Sequence, residues 1–198
     1  MMTIIDYGMG NLRSVQKACE FLGFSAEISS DPETIQNASQ LILPGVGAFG
    51  DAMKHLSERG LVGIIREKAN GGTPFLGICL GMQLLFDRSL EYGETEGLKL
   101  VPGDVVEFVL PGLKVPHMGW NSLNARKNPL FDAGNDQFVY FVHSYYAAGV
   151  PDENVIATSD YGINFVAAVQ KDNVFGLQFH PEKSGDVGLG MLKRFAEL

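Results

Sequence analysis

The sequence has few of the features that are typical of secreted or membrane proteins. The 198 residues include only two cysteines, Cys19 and Cys79, which cannot build a disulfide framework and are not expected to pair in a reducing compartment. No apolar run approaches the roughly 18 residues that a membrane-spanning helix needs. The opening residues, MMTIIDYGMG, lack the basic segment of a signal peptide. The sequence therefore predicts a cytoplasmic protein.

Positive charge is also in deficit, and the patterns that bind metals and phosphates are absent. There are 15 Lys and Arg against 23 Asp and Glu, a net charge of −8 that disfavours a nucleic-acid partner. The cysteines and histidines show no metal-ligand spacing, and no glycine-lysine phosphate loop occurs. We therefore expect no metal, no cofactor and no nucleic acid. Apolar residues make up 45% and charged residues 19%, an ordinary globular composition, and the length fits a single domain over 1–198.

The order of predicted elements indicates an α/β fold. In the first half, short apolar strands alternate with amphipathic helices, which is typical of a parallel sheet covered on both faces. After about residue 98, closely spaced strands separated by turn residues predict antiparallel pairing. The first-half strands are predicted at 2–6, 25–28, 40–43 and 74–78, and the helices at 11–22, 49–56, 61–69 and 80–86. The second-half strands are predicted at 105–110, 113–115, 138–143, 155–158, 165–170 and 174–179, and a helix at 186–198.

A glycine-flanked cysteine stands where a strand gives way to a helix. Residues 77–81 read Gly-Ile-Cys-Leu-Gly, the G-x-S-x-G turn of hydrolases with cysteine in the serine position. Glycine on either side relieves crowding at such a strained turn, and the following helix start favours the thiolate of Cys79. The N–H of Leu80 would be placed to bind an oxyanion. The alternative is a buried cysteine between packing glycines. The other cysteine, Cys19, lies at helical spacing in an apolar stripe and is interpreted as a small buried apolar residue.

A histidine at the end of a later strand is the candidate partner of this cysteine. His180 follows the apolar segment 174–179, and Pro181 ends that strand. Glu182 can return toward the imidazole, hold its tautomer and stabilise its charged form, as the third member of a triad does. An incidental histidine–glutamate pair in a turn is the alternative, but the cysteine turn favours a shared mechanism.

Three blocks together resemble the class I (triad) glutamine amidotransferases over essentially the whole chain. They are Pro-Gly-Val-Gly at 44–47, Gly-Ile-Cys-Leu-Gly-Met-Gln at 77–83 and Phe-His-Pro-Glu at 179–182. The resemblance implies that Cys79 attacks the amide carbonyl of glutamine and forms a thioester, that His180 moves protons, and that Glu182 orients His180. It further implies an oxyanion site at Val46, Gly47 and Leu80, and substrate contacts from Gly45, Gln83, Glu91, His143, Ser144 and Tyr145.

Further blocks, at 6–11, 116–121, 140–145 and 183–184, resemble one branch of that class, the glutaminases of imidazole glycerol phosphate synthases. The branch implies a heterodimer in which ammonia passes to a (β/α)₈ cyclase subunit. Asn11, Trp120, Tyr140 and Lys183 resemble its partner-facing positions, although Trp120 could instead be a core residue. Since the glycine loop at 45–47 must present an oxyanion donor correctly, we expect the isolated chain to be a poor glutaminase.

Three other functions remain open from the sequence. The chain could serve another synthase as its glutaminase, but the blocks at 6–11 and 117–121 argue against this. It could be a free-standing γ-glutamyl hydrolase, which needs no acceptor subunit. It could also be an inert interaction module, which the presence of Cys79, His180 and Glu182 disfavours.

Overall fold

The computed structural model describes the backbone of residues 1–198 and the side chains of all of them except Asn135 and Asp136. The first half alternates strands and helices as predicted. Its elements are β1 (Met2–Ile5), α1 (Leu12–Phe21), β2 (Ala26–Ser29), α2 (Pro32–Gln36), β3 (Gln40–Gly45), α3 (Phe49–Glu58), α4 (Leu61–Asn70), β4 (Phe75–Cys79) and α5 (Leu80–Gln83).

The second half consists mainly of strands and ends in one long helix. Its elements are β5 (Arg88–Ser89), β6 (Thr95–Glu96), β7 (Asp104–Glu107), β8 (His117–Ala125), β9 (Gly134–His143), β10 (Tyr145–Ala148), β11 (Val155–Asp160), β12 (Asn164–Lys171), β13 (Val174–Leu177) and α6 (Gly185–Ala196). Across the described residues, no helix is long and apolar enough to cross a bilayer.

All the strands belong to one 13-stranded sheet whose centre is parallel. The order β2-β1-β3-β4-β13 is parallel throughout, and β12, β10 and β7 then continue it with antiparallel pairing. In the register of β3 and β4, Gly45 lies opposite Cys79, and Leu177 of β13 lies opposite Ile78. Because the carboxyl ends of parallel strands share one edge of a sheet, the segments that follow β3, β4 and β13 meet there.

The central strands are apolar on both faces because helices cover both faces. In β3, Leu41 and Leu43 pack into the core beneath α2, α3 and α4, while Ile42 points into the core beneath α1 and α6. Since successive strand residues face opposite sides, a strand covered twice needs apolar residues without alternation. Each such side chain, buried fully, stabilises the fold by about 1.5–3 kcal/mol.

The predicted fold class is confirmed, but several predicted elements are wrong or were missed. The helix predicted over 80–86 ends at Gln83, because the carbonyl groups of residues 84–86 accept hydrogen bonds from the segment 98–101 rather than continuing the helix. No strand forms at 113–115 in the described chain, where a turn lies between two prolines. Strand β8 was missed because its exposed face also carries apolar residues, Met118 and Trp120, which hides the alternation.

Candidate active site

Cys79 occupies a strained turn between β4 and α5. It is 6% exposed and has φ +56° and ψ −113°, a backbone conformation that non-glycine residues rarely adopt. A side chain on Gly81 would overlap the carbonyl oxygen of Leu43, and one on Gly77 would lie 2.5 Å from the carbonyl oxygen of Gly81. The two glycines therefore let α5 begin directly against the strand ends, and the turn presents the sulfur at the carboxyl edge of the sheet.

His180 and Glu182 form a buried pair just beyond the end of β13. The Nδ1 of His180 lies 2.9 Å from Oε1 of Glu182, and the two side chains are 3% and 1% exposed. The backbone of His180 is held by two hydrogen bonds: its N–H donates to Tyr140 O at 3.0 Å, and its carbonyl accepts from Ser184 Oγ at 2.6 Å. The imidazole thus has a fixed position at the same sheet edge as Cys79.

The charge on His180 is set by opposing effects. Burial alone would lower the pKa of this imidazole, but the Cys79 sulfur and the Glu182 carboxylate outweigh it and raise the pKa from 6.5 to about 9. The ring is therefore mostly protonated at neutral pH. Because Glu182 occupies Nδ1, Nε2 is the nitrogen that serves the sulfur and any bound substrate, and among the described residues it has no hydrogen-bond partner.

A cavity of about 650 Å³ opens in front of these groups. This volume is within the range of small-molecule sites. Of the sequence-predicted residues, Val46, Gly47, Cys79, Leu80, Gln83, Glu91, His143, Ser144, Tyr145 and His180 line it. Gly45 and Glu182 lie behind the wall, each buried beside a lining residue. Sequence reasoning did not identify Tyr92, Glu107, Val115, Pro116 and Val142, which complete the lining.

The oxyanion loop and Glu91 both lie at the start of helix α3. Val46 follows β3, is 42% exposed and precedes Gly47, which has φ +98°. The carboxylate of Glu91 accepts a 2.7 Å hydrogen bond from the N–H of Phe49, the first residue of α3. This bond holds a negative charge at the cavity wall. Within the described residues, no three His, Cys, Asp or Glu side chains gather closely enough to hold a metal ion.

A chain of hydrogen bonds crosses the buried wall of the cavity. His143 Nδ1 lies 2.8 Å from Tyr145 O, and His143 Nε2 lies 3.0 Å from Nδ1 of His117. The other nitrogen of His117 lies 3.3 Å from Nδ2 of Asn121. Since a carbonyl only accepts, His143 carries its proton on Nδ1, and His117 must then donate to His143 and accept from Asn121. Both tautomers are fixed by this sequence of partners.

These two histidines stay neutral at physiological pH. Burial lowers the pKa of His117 to about 4. Burial also lowers the pKa of His143, to about 3, and the nearby His117 and His180 add to that effect while the Tyr145 carbonyl opposes it. The pair therefore supports the cavity wall in its uncharged form.

The same network reaches the sulfur through two glutamines. Gln83 donates from Nε2 to Tyr145 O at 3.1 Å and to Gln178 Oε1 at 3.0 Å. Gln178, fully buried, places its own Nε2 3.9 Å from Cys79 Sγ. Sequence reasoning missed Gln178 because it lay inside an apolar strand prediction. The signal was present, since a single amide in a buried apolar run needs a partner.

Tyr7 has an unusual position beneath the oxyanion loop. The residue is 0% exposed, and its hydroxyl has no hydrogen-bond partner among the described residues. A side chain on Gly45 would lie 2.6 Å from that hydroxyl, so the loop residue and the tyrosine are in close contact. Burial, reinforced by the nearby Cys79, raises the pKa of Tyr7. The hydroxyl is therefore un-ionised.

The predicted partner-facing residues lie on elements that contact one another beside the site. Trp120 is 58% exposed and pairs in register with Tyr140, with ring centroids 6.2 Å apart. The N–H of Tyr140 donates to Ser184 Oγ, which ties this hairpin to the turn that carries exposed Lys183. Asn11 lies at the start of α1, a helix that contacts the same turn. We call the exposed side chains of Met118, Trp120 and Phe138, together with half-buried Tyr140, the hairpin face.

Comparison with known proteins identifies the class of this fold and site. The family model described as glutamine amidotransferase class-I matches residues 3–197. The chain therefore belongs to the class-I glutamine amidotransferases, as the sequence blocks predicted.

More specific similarity comes from curated relatives that carry one name, imidazole glycerol phosphate synthase subunit HisH. The protein of that name from Caldanaerobacter subterraneus subsp. tengcongensis is 54% identical over 201 residues, covering 100% of this chain and 98% of the relative. That from Syntrophotalea carbinolica is 51% identical over 208 residues and covers 100% of both chains. That from Streptococcus mutans is 52% identical over 200 residues, covering 100% and 99%.

Solved structures share the fold at much lower sequence identity. A crystal structure of a glutamine amidotransferase superposes with a TM-score of 0.79 at 21% identity and covers 99% of both chains. The structure of PurLQS from Thermotoga maritima gives a TM-score of 0.77 at 22% identity, covering 99% of this chain and 97% of that one. These matches confirm the predicted architecture.

Proposed function

We propose that the chain is the glutaminase subunit of a cytoplasmic imidazole glycerol phosphate synthase, which hydrolyses L-glutamine to glutamate and ammonia for a cyclase partner. The observation that carries the proposal is the cysteine at a strained turn, sharing one cavity with a buried histidine–glutamate pair. The full-length similarity to curated synthase subunits supports the identity of the acceptor reaction.

In the proposed first half-reaction, the thiolate of Cys79 attacks the side-chain carbonyl of glutamine. The C–S bond forms, the carbonyl oxygen becomes an oxyanion, and the Leu80 N–H and the Val46–Gly47 loop, whose residues line the cavity, would bind it. The C–N bond then breaks as the nitrogen takes a proton. His180 supplies this proton from Nε2, because its raised pKa keeps it protonated near neutrality. Ammonia leaves and a glutamyl thioester remains.

In the second half-reaction, the neutral imidazole left behind acts as the base. His180 takes a proton from water, the hydroxide oxygen attacks the thioester carbonyl, and the C–S bond breaks to return the thiolate and release glutamate. Glu182 bonds to Nδ1 at 2.9 Å throughout, so the ring presents the same nitrogen in both steps. The close burial of that pair favours the recurring imidazolium.

The cavity wall offers complementary charges for the amino-acid end of glutamine. The carboxylate of Glu91, fixed by the N–H of Phe49, would attract the α-amino group. The carbonyl oxygens of Ser144 and Tyr145 already accept hydrogen bonds, from the N–H of Phe108 and from Gln83 respectively. The contacts that this segment makes to the α-carboxylate would therefore come from N–H groups, which is the polarity that a carboxylate requires.

An acceptor subunit is part of the proposal because free ammonia is protonated in neutral water and ceases to be a nucleophile. The hairpin face supports a docking site next to the cavity, since Met118, Trp120 and Phe138 are each more than half exposed. Aromatic residues in such a position are typical anchors of protein interfaces. We infer that the (β/α)₈ cyclase subunit covers this face and receives the ammonia.

The central experiment measures glutamate formed from glutamine, with and without the cyclase subunit, for three proteins. The wild-type chain should be slow alone and faster by orders of magnitude with cyclase and its nucleotide substrate. Cys79→Ala should be inactive in both conditions. The matched control is Cys19→Ala, because Cys19 is also a free buried cysteine but lies on α1 and does not line the cavity. Undiminished turnover by Cys79→Ala would refute the proposed nucleophile.

The docking proposal has its own test by binding. Trp120→Ala should weaken the affinity for cyclase by about 2 kcal/mol or more, the range of aromatic hot spots. Phe21→Ala is the matched control, since Phe21 is 79% exposed at the far end of α1. Calorimetry or fluorescence titration would measure both. Equal affinity of the two variants would place the docking site elsewhere, and full glutaminase activity without any partner would favour a free-standing γ-glutamyl hydrolase.

A further inference from the structure

We propose that Gln178 is a further catalytic residue of this site: its side-chain amide donates a hydrogen bond to the sulfur of Cys79 and stabilises the thiolate, and Gln83 holds that amide in the donating orientation. The inference rests on the proposed function, in which Cys79 is the nucleophile. It assigns to the sulfur a donor that does not line the cavity.

The orientation of the amide follows from its partners. A glutamine amide can be turned around without changing its shape, so the hydrogen-bond network must decide which end is NH₂. The carbonyl of Tyr145 only accepts, and it lies 3.1 Å from the Gln83 nitrogen. That same nitrogen lies 3.0 Å from Gln178, which must therefore present its oxygen to Gln83. The NH₂ group of Gln178 is consequently directed at Cys79 Sγ, 3.9 Å away.

The surroundings make this donor effective. Gln178 is 0% exposed, so the bond to sulfur lies in a medium where water does not compete for it. The other hydrogen-bond contact of the sulfur is the carbonyl of Val142, also at 3.9 Å, which can accept from a thiol but repels a thiolate. A donor that acts on the anionic sulfur and not on a neutral one stabilises the reactive form preferentially.

The position of Gln178 separates this role from substrate binding. It does not line the cavity, whereas Gln83 does. Removing the donor should therefore change how readily the thiolate forms and leave the affinity for glutamine nearly unchanged. A buried glutamine with a purely structural role would instead affect stability, and it would not alter the pH dependence of the chemistry at sulfur.

The test is the pH dependence of Cys79 alkylation by iodoacetamide, measured by mass spectrometry in a Cys19→Ala background without glutamine. In this reaction the thiolate displaces iodide and forms a C–S bond, so the rate follows the thiolate fraction. Gln178→Met removes the donor at similar volume. We expect the midpoint of the rate profile to rise by about one pH unit, which is about a tenfold loss of rate below the midpoint.

Turnover of glutamine by the complex with cyclase should change in the same way. For Gln178→Met, kcat should fall up to about tenfold at pH values below the alkylation midpoint and recover as the pH rises, while KM stays within about twofold of wild type. The matched control is Gln170→Met on the neighbouring strand β12, because among the described residues the Gln170 amide bonds only to the carbonyl of Asp172. Its alkylation midpoint and kcat should equal those of wild type.

A second variant keeps the proposal falsifiable where Gln178→Met does not fold. Gln178→Glu has the same shape and can still accept from Gln83, but it presents an oxygen to the sulfur, so its midpoint should rise further. A midpoint equal to that of wild type in whichever variant folds overturns the proposal. Cys79→Ala in the same assays distinguishes a failure of the role of Gln178 from a failure of the proposed function. Ammonia release that survives in Cys79→Ala overturns the proposed function itself.

Discussion

The charge on His180 gives the sharpest test of the site's electrostatics. The structure raises the pKa of this imidazole from 6.5 to about 9 although burial acts in the opposite direction. A rise of that size corresponds to about 3 kcal/mol in favour of the protonated ring. The Cys79 sulfur and the Glu182 carboxylate must together supply this free energy, and they must also offset the cost of burying the charged ring. Replacing either one should therefore lower the pKa substantially.

The perturbations are Cys79→Ala, Glu182→Gln and the double variant. Each single variant should bring the pKa of His180 well below 9, because one of two favourable partners is gone. The double variant leaves only burial, so its pKa should fall below 6.5. The sign is unambiguous, since both partners stabilise the charged ring and desolvation disfavours it.

The assay is NMR of histidine ring carbons and nitrogens between pH 5 and 10 in isotopically labelled protein. The chain has four histidines, and His117 and His143, with pKa values of about 4 and 3, should show no titration in this window. Two histidine signals then remain, and the one that His180→Gln removes is that of His180. A wild-type His180 that titrates below 6.5, or a value near 9 that survives in the double variant, would refute the reasoning.

Three further predictions concern stability, measured by urea unfolding. His117 and His143 have folded-state pKa values below 6.5, so the stability that their neutral forms contribute is complete above pH 6.5 and is lost as the pH falls. We expect the free energy of unfolding to fall by about 2 kcal/mol for each histidine between pH 6.5 and 5. His117→Gln should make the free energy of unfolding depend less on pH in this range. Gly81→Ala should destabilise by about 3 kcal/mol or more because the added methyl overlaps a buried carbonyl, while Gly63→Ala, in open space on α4, should stabilise by up to about 1 kcal/mol. Tyr7→Phe removes a buried hydroxyl that has no described partner, so stability should be unchanged or rise by about 1 kcal/mol; a loss above 2 kcal/mol would mean that the hydroxyl is bonded.

The sequence predicted the parts of the site whose residues lie within short segments at strand ends. The turn around Cys79 and the segment from His180 to Glu182 each carry their own local signals: crowding glycines in one, a strand-ending proline in the other. Because parallel strands end at a common edge, identifying the two segments was enough to bring them together. The register of β3, β4 and β13 confirms that placement of the strand ends.

The parts that the sequence did not predict depend on pairings between distant segments. The contact of Gln178 with Cys79 spans 99 positions, and that of Gln83 with Gln178 spans 95. Periodicity indicates which face of an element is buried, but it does not say which polar group on another element satisfies a buried amide. The same limit applies to β8, whose pairing with β9 brings His117 opposite His143.

Two chains of hydrogen bonds meet at the carbonyl of Tyr145, and this meeting point decides whether protons can pass between them. From one side the donors run from Asn121 through His117 and His143 to that oxygen, and from the other side Gln83 donates to it. Because both arms terminate on an atom with no hydrogen to pass on, protons cannot hop from one arm to the other. The network therefore fixes positions and does not conduct protons. A displacement of β8 would change the position of Cys79 and leave the protonation of the groups between them unchanged.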